Sequence, residues 1–95
     1  MKKHGRKDVN QKQLETVFKA YGFTTYDTSS LGDGFPDFIA GKDSNNYLIE
    51  VKDGSKPPSK QRLTPMEERF HRTWRGNVHV LNSEEQAERF CKEFS

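Results

Sequence analysis

The sequence predicts a single α/β domain, a mixed four-stranded sheet flanked by helices in the order α-β-β-β-α-β-α. Three observations lead there. The 95 residues are the length of one domain. Three segments repeat apolar residues at helical spacing. Between them lie four short runs rich in aromatic and β-branched residues, bounded by Gly, Pro, Asn and Asp. Packing the helical stripes on one sheet gives two or three layers around one core.

Residues 1–7 carry four basic side chains and no acid, and read as a disordered arm ahead of a domain spanning residues 8–95. A helix is expected over residues 8–21, with Leu14, Val17, Phe18 and Tyr21 on one stripe. Gly22 ends it as a left-handed cap. Residues 23–28 form the first strand, and residues 29–34 a loop in which Asp33, between two glycines, is a turn former. The second strand covers residues 36–41 and a polar turn residues 42–45. In the third strand, residues 46–52, the run Tyr47, Leu48, Ile49 and Val51 suits burial on both faces. A basic loop with Pro57 and Pro58 leads to a second helix, opened by Pro65 and a capping box of Thr64 with Glu67. Phe70 and Trp74 are expected to be its buried side, and Gly76 its end. Residues 77–81 are the fourth strand. Ser83 and Gln86 form another capping box, opening a last helix with Ala87, Phe90, Cys91 and Phe94 inward.

Composition narrows the class further. With 31% hydrophobic and 32% charged residues, the chain suits a small domain with a thin core. A homodimer is expected, since association would bury more apolar area. The net charge of +2 decides little, but its distribution is uneven. Lys2, Lys3 and Arg6 lie in the arm, and Lys56, Lys60 and Arg62 in a loop without an acid. Such patches can follow a phosphate backbone, although each alone also reads as solvated chain. Cys91 is the lone cysteine, which excludes an internal disulfide and points to a reducing compartment. No apolar run reaches membrane-spanning length and none follows the basic N-terminus, so the expectation is a cytoplasmic protein.

The chemistry emerges when the hairpin is drawn. If residues 42–45 turn, Gly41 pairs with Asn46, and Asp37 falls opposite Glu50 on one face. Lys52, two residues on, projects to that face, while Val51 points into the core. Two facing carboxylates repel. A proton held on one of them, the Lys52 ammonium, or a bound divalent cation would offset the repulsion. The cation also brings a chemistry, because a metal activates its water and clamps a phosphate oxygen.

Pro36-Asp37 followed by Glu50-Val51-Lys52 resembles the signature of the PD-(D/E)XK nuclease superfamily. The order of elements is similar to that superfamily's restriction-endonuclease-like core. The segments Gly34-Phe35-Pro36-Asp37-Phe38 and Leu63-Thr64-Pro65-Met66-Glu67 resemble small phage-type VRR-NUC and junction-resolvase-like nucleases. The resemblance implies Asp37, Glu50 and Lys52 as the catalytic set. It implies Mg²⁺ or Mn²⁺ held by Asp37, Glu50 and the Val51 carbonyl, with Glu15 as a helix-borne candidate ligand. Members often carry a glutamine in the second helix; Glu67 stands there instead, and Gln61 just upstream is a possible substitute. Lys56, Lys60, Gln61, Arg62 and the arm are candidate DNA contacts. The implied activity is metal-dependent hydrolysis of DNA phosphodiesters, selective for branched, flapped or nicked structures, with no organic cofactor and a phage-type origin acting in host cytoplasm.

Other readings stand beside these. A domain of the same fold could hold nucleic acid without cutting it, or serve only as an interaction scaffold. Glu15 also reads as a solvated helix residue and Glu67 as a capping partner. The spacing of His4, His71 and His79 argues against zinc. Arg69, Arg72 and Arg75 read as a solvated face, with Glu68 and Arg72 one turn apart.

Overall fold

The computed structural model describes residues 10–94. The basic arm, with Lys2, Lys3 and Arg6, lies outside the described residues, as does the expected helix start at Asp8. The elements are α1 (Gln11–Ala20), β1 (Thr24–Asp27), β2 (Phe38–Lys42), β3 (Asn45–Val51), α2 (Pro65–Thr73), β4 (Val78–Leu81) and α3 (Glu84–Phe94). A short 3-10 turn at Pro58–Lys60 interrupts the basic loop. The sheet runs β1-β2-β3-β4. The first two pairings are antiparallel and β3–β4 is parallel, with α2 inside the crossover. This is the mixed four-stranded architecture the sequence predicts.

Local chemistry explains the joints. After α1, Gly22 at φ +90° donates to the Lys19 carbonyl, and the Phe23 N–H donates to the Phe18 carbonyl. These bonds satisfy carbonyls the helix would leave open, and Phe18 packs edge-on against Phe23 across the cap at 5.1 Å. The β2–β3 turn is tighter than expected. Asp43 and Ser44, both at positive φ, are its two central residues, so Lys42 and Asn45 already pair. The register is unaffected, since Gly41 still faces Asn46 and Phe38 faces Ile49.

The core lies where α1 and α3 cover one face of the sheet. Leu14, Phe18, Phe38, Ala40, Tyr47, Ile49, Val51, Phe90 and Cys91 are buried in one cluster. Aromatic edges hold it together: Phe18 meets Phe38 at 5.3 Å and Phe90 at 5.4 Å. Burial pushes the Cys91 thiol up to about 11, as expected of a small buried hydrophobe. The second box is half reciprocal: Ser83 Oγ accepts from the Gln86 N–H, while Gln86 reaches back one residue further, to the Asn82 N–H.

The second helix corrects an expectation. Its capping box is complete, but α2 has no buried residue, and Trp74 is 44% exposed rather than part of the core. Residues four apart share a helix side, but a helix buries that side only where a neighbouring element covers it. The α2 start is instead fixed by a loop. Gly34, at φ +79°, lies so close to the Met66 carbonyl that no side chain would fit between them.

Candidate active site

On β3, successive side chains alternate between the two faces. Ile49 and Val51 enter the helix-covered core, which puts Glu50 and Lys52 on the opposite face. Asp37 arrives beside them through an irregularity in the ladder. The regular register would pair it with Glu50, yet its N–H donates to the Ile49 carbonyl at 2.9 Å. The extra residue forms a bulge of the kind that re-aims a side chain at a strand end. The Asp37 carboxylate, rather than a backbone carbonyl, then accepts the Val51 N–H at 2.7 Å. A strand residue's N–H and C=O point to the same edge, so the Val51 carbonyl also faces the Asp37 side.

Glu50 is only 2% exposed. One of its oxygens, Oε1, is buried with no hydrogen-bond partner. Its pKa is pushed up to about 10, first by burial, then by the charges of Asp37 and Glu67 and a proton shared with Asp37, against a weaker pull from Lys52. Lys52 is poorly placed to relieve it. The ammonium is 3.9 Å from Glu50 Oε2 but 2.7 Å from Glu67 Oε1. Burial tends to raise the Glu67 carboxyl, but the Lys52 and Thr64 hydrogen bonds outweigh it and hold the pKa below the ordinary range. Glu67 is therefore at once the capping partner of Thr64 and a member of this cluster. Beside Asp37 and Glu67 opens a cleft of about 400 Å³, lined also by Ser29, Gly34, Phe35 and Pro65.

The remaining candidates are dispersed. Glu15 accepts from Gln11 Nε2 at 2.8 Å and from Thr25 Oγ1 at 3.3 Å, and is not among the charges that act on Glu50. Gln61 accepts from Asn82 Nδ2 and donates to the Lys56 carbonyl, tying the basic loop to the end of β4. Lys56, Lys60 and Arg62 are exposed along that loop. Asp33, at φ +56°, is a turn residue lining a separate cleft against α2. Two residues near the site carried no clear sequence signal. Gln11 is fully buried and donates to the Asp37 carbonyl at 3.3 Å. Its position on the α1 stripe, three residues before Leu14, was the available clue. His71 lies one turn after Glu67, and burial lowers its pKa against the opposing charge of Glu67.

A buried Glu50 with an orphaned oxygen, a half-buried Asp37 beside it and a lysine alongside, on a helix-flanked mixed sheet, resemble the layout of PD-(D/E)XK nuclease-like domains. No family model matches the chain, and no curated protein matches it. Among solved structures it is similar to one described as a VRR_NUC domain, with a TM-score of 0.69 and 26% identity over 90% of this chain and 92% of that one. The fold is thus of the VRR-NUC type, and the likeness supports a nuclease-type function. No helix among the described residues is long and apolar enough to cross a membrane.

Proposed function

We propose that this protein is a metal-dependent DNA endonuclease, hydrolysing phosphodiester bonds in branched, flapped or nicked DNA. The observation that carries the reading is Glu50: a buried carboxylate with one oxygen unpartnered, crowded by Asp37 and Glu67. A divalent cation would relieve that crowding, and hard carboxylate and carbonyl oxygens are the ligands Mg²⁺ and Mn²⁺ prefer.

Among the described residues, no three His, Cys, Asp or Glu side chains are placed to hold one ion together. Asp37, Glu50 and the Val51 carbonyl would be the protein ligands. That partial set suits Mg²⁺, which ordinarily keeps several waters and takes phosphate oxygens from the substrate. When bound, the ion lowers the pKa of its water and neutralises charge on the phosphate. Lys52 donates toward the attacking water or a phosphate oxygen, stabilising the charge that develops there. Glu67 accepts a hydrogen bond from the Lys52 ammonium at 2.7 Å and so fixes its direction. The exposed Lys56, Lys60 and Arg62, with the N-terminal arm, supply backbone contacts. In this reading, DNA shape rather than sequence sets the choice of substrate. A symmetric dimer acting in the cytoplasm, of phage type, completes the reading.

The test is a cleavage panel of branched, flapped, nicked, linear and single-stranded DNA with Mg²⁺ or Mn²⁺. Wild type should cut branched forms best. Asp37→Ala and Lys52→Ala should each lose about 100-fold or more, the loss typical of removing one electrostatic contact to the transition state. Equal residual cutting by both variants would mean a contaminant or another site. Mg²⁺ at 100 times its Kd should stabilise the fold by about 2.7 kcal/mol. One observation favours a binder that does not cut: the absence of a three-acid chelate among the described residues. Binding that persists in chelator, with no cleavage under any metal, would select that reading.

A further inference from the structure

The α2 surface beyond Glu67 has a composition that the proposed chemistry does not use. Met66 is 54% exposed and Trp74 44% exposed, with Phe70 half-buried between them. Phe70 and Trp74 lie nearly parallel, with ring centroids 5.1 Å apart and planes 16° apart. Phe35 meets Phe70 edge-on at 5.2 Å. The Phe35–Phe70 contact fixes the platform from below. Phe70 covers one side of the indole, and Gly76 abuts the indole nitrogen, where a Cβ would come within 2.8 Å.

Arg69 lines a cleft with Phe70, Arg75 follows Trp74 in the chain, and Arg72 lies around the helix from both rings. Arg69, Arg72 and Arg75 are exposed, and none is held in an ion pair among the described residues. Glu68 is exposed and makes no pair with Arg72. Asp33 faces Met66, Arg69, Phe70 and Thr73 across a cleft of about 280 Å³. A protein partner covering an apolar ridge would have to bury or match the like charges of Arg69 and Arg75. A single nucleic-acid strand offers what the surface lacks, a π-face for the indole and phosphates for the arginines.

We propose that the Phe70–Trp74 ridge receives an unpaired nucleotide of the DNA substrate, its base stacked on Trp74 and its flanking phosphates on Arg69 and Arg75. Trp74 lies seven residues from Glu67, about 10 Å along the helix direction. At roughly 3.4 Å per nucleotide, a base on Trp74 is about three nucleotides from the Asp37–Glu50 cluster. The inference rests on the nucleic-acid reading of the domain and supplies a reason for selectivity toward branches and flaps, which carry unpaired bases.

The chain has one tryptophan, so its emission reports this ring alone. In EDTA and low salt, a ten-nucleotide oligo-dT should quench it saturably, and a blunt duplex of the same length should quench it far less. By anisotropy of labelled oligo-dT, Trp74→Ala should weaken binding about tenfold, as expected for one lost stacking partner. Trp74→Phe should stay within about threefold of wild type. The double variant Arg69→Ala with Arg75→Ala should weaken binding and flatten its salt dependence. Oligonucleotide that binds without quenching, or equal affinity of wild type and Trp74→Ala, overturns the proposal. So does emission that changes with protein concentration alone, which would assign the ridge to a second copy. Cleavage without quenching would sink this inference and leave the nuclease reading intact. Quenching without cleavage would do the reverse.

Discussion

Val51 and Glu50 are neighbours on β3 and sit in opposite environments. Val51 faces α1 and α3 in an apolar cluster that includes Phe18, Phe38 and Phe90. Glu50 faces Asp37, Lys52 and Glu67. Both side chains are out of water, so burial alone does not distinguish the two faces. On the helix face, removal from water is itself the stabilising term, about 25 cal/mol per Å² of apolar surface. On the other face the same removal is a cost, because a desolvated carboxylate beside two others has no compensating partner for Oε1. The first face holds the fold together; the second is tolerable only with a proton or a cation added. A domain of this size, whose total stability is on the order of 5–15 kcal/mol, can carry such a cluster only on a firm opposite face.

The largest effect should come from breaking the firm face. Phe18 is fully buried and touches Phe23, Phe38 and Phe90. Phe18→Ala should cost about 3–5 kcal/mol, read as a fall in the urea midpoint at unchanged slope. A loss below about 1 kcal/mol would mean that the helix-covered face is not the main source of stability, and the contrast would fail.

Glu50→Gln should act in the opposite direction in metal-free protein. Its folded pKa lies near 10, above the ordinary value of 4.5. At pH 4 the group is protonated in both states and costs little. As pH rises above about 4.5, the unfolded chain ionises first, so wild type loses stability steadily through neutral pH toward 10. At about 1.4 kcal/mol per pH unit, the loss at pH 7 is at most roughly 3.5 kcal/mol. Glu50→Gln should therefore be more stable than wild type in EDTA at pH 7 by up to that amount, and close to it near pH 4. Saturating Mg²⁺ should stabilise wild type and leave the variant unmoved. Parallel urea melts at pH 4, 6 and 8 measure this; equal slopes for the two proteins would show that Glu50 is not held neutral by its surroundings.

The helix face was far more legible in the sequence than the site. The α1 and α3 stripes needed only periodicity, and Leu14, Phe18, Ala87, Phe90 and Cys91 are buried as read. The hairpin register followed from turn chemistry even though the turn is two residues tighter, since both versions pair Gly41 with Asn46. The bulge at Asp37 was invisible, because it depends on which backbone groups find partners around Pro36. Trp74 was misplaced for a related reason. Helical spacing says which residues share a side of α2, but whether another element covers that side is a tertiary fact. The dual part played by Glu67 was half visible: its capping spacing is local, whereas its contact with Lys52 spans 15 residues and requires the crossover.

Glu67 offers the smallest and most discriminating change, because it belongs to both terms of the contrast. Glu67→Gln keeps an oxygen that can accept from the Thr64 N–H and from Lys52, so the cap geometry survives. It loses a negative charge in the first turn of α2, worth about 0.3–1 kcal/mol against the helix dipole. It also loses the charge on a partly buried ion pair, and it removes one of the charges that raise Glu50. The first two effects destabilise and the last relieves, so the net loss at pH 7 should stay below about 1 kcal/mol. The pH dependence is the sharper readout. With less repulsion on Glu50, its folded pKa should fall toward the ordinary range, and metal-free stability should decline less steeply between pH 5 and 8 than in wild type. A slope identical to wild type would show that Glu67 serves the helix cap alone, and that the crowding on Glu50 comes from burial and Asp37.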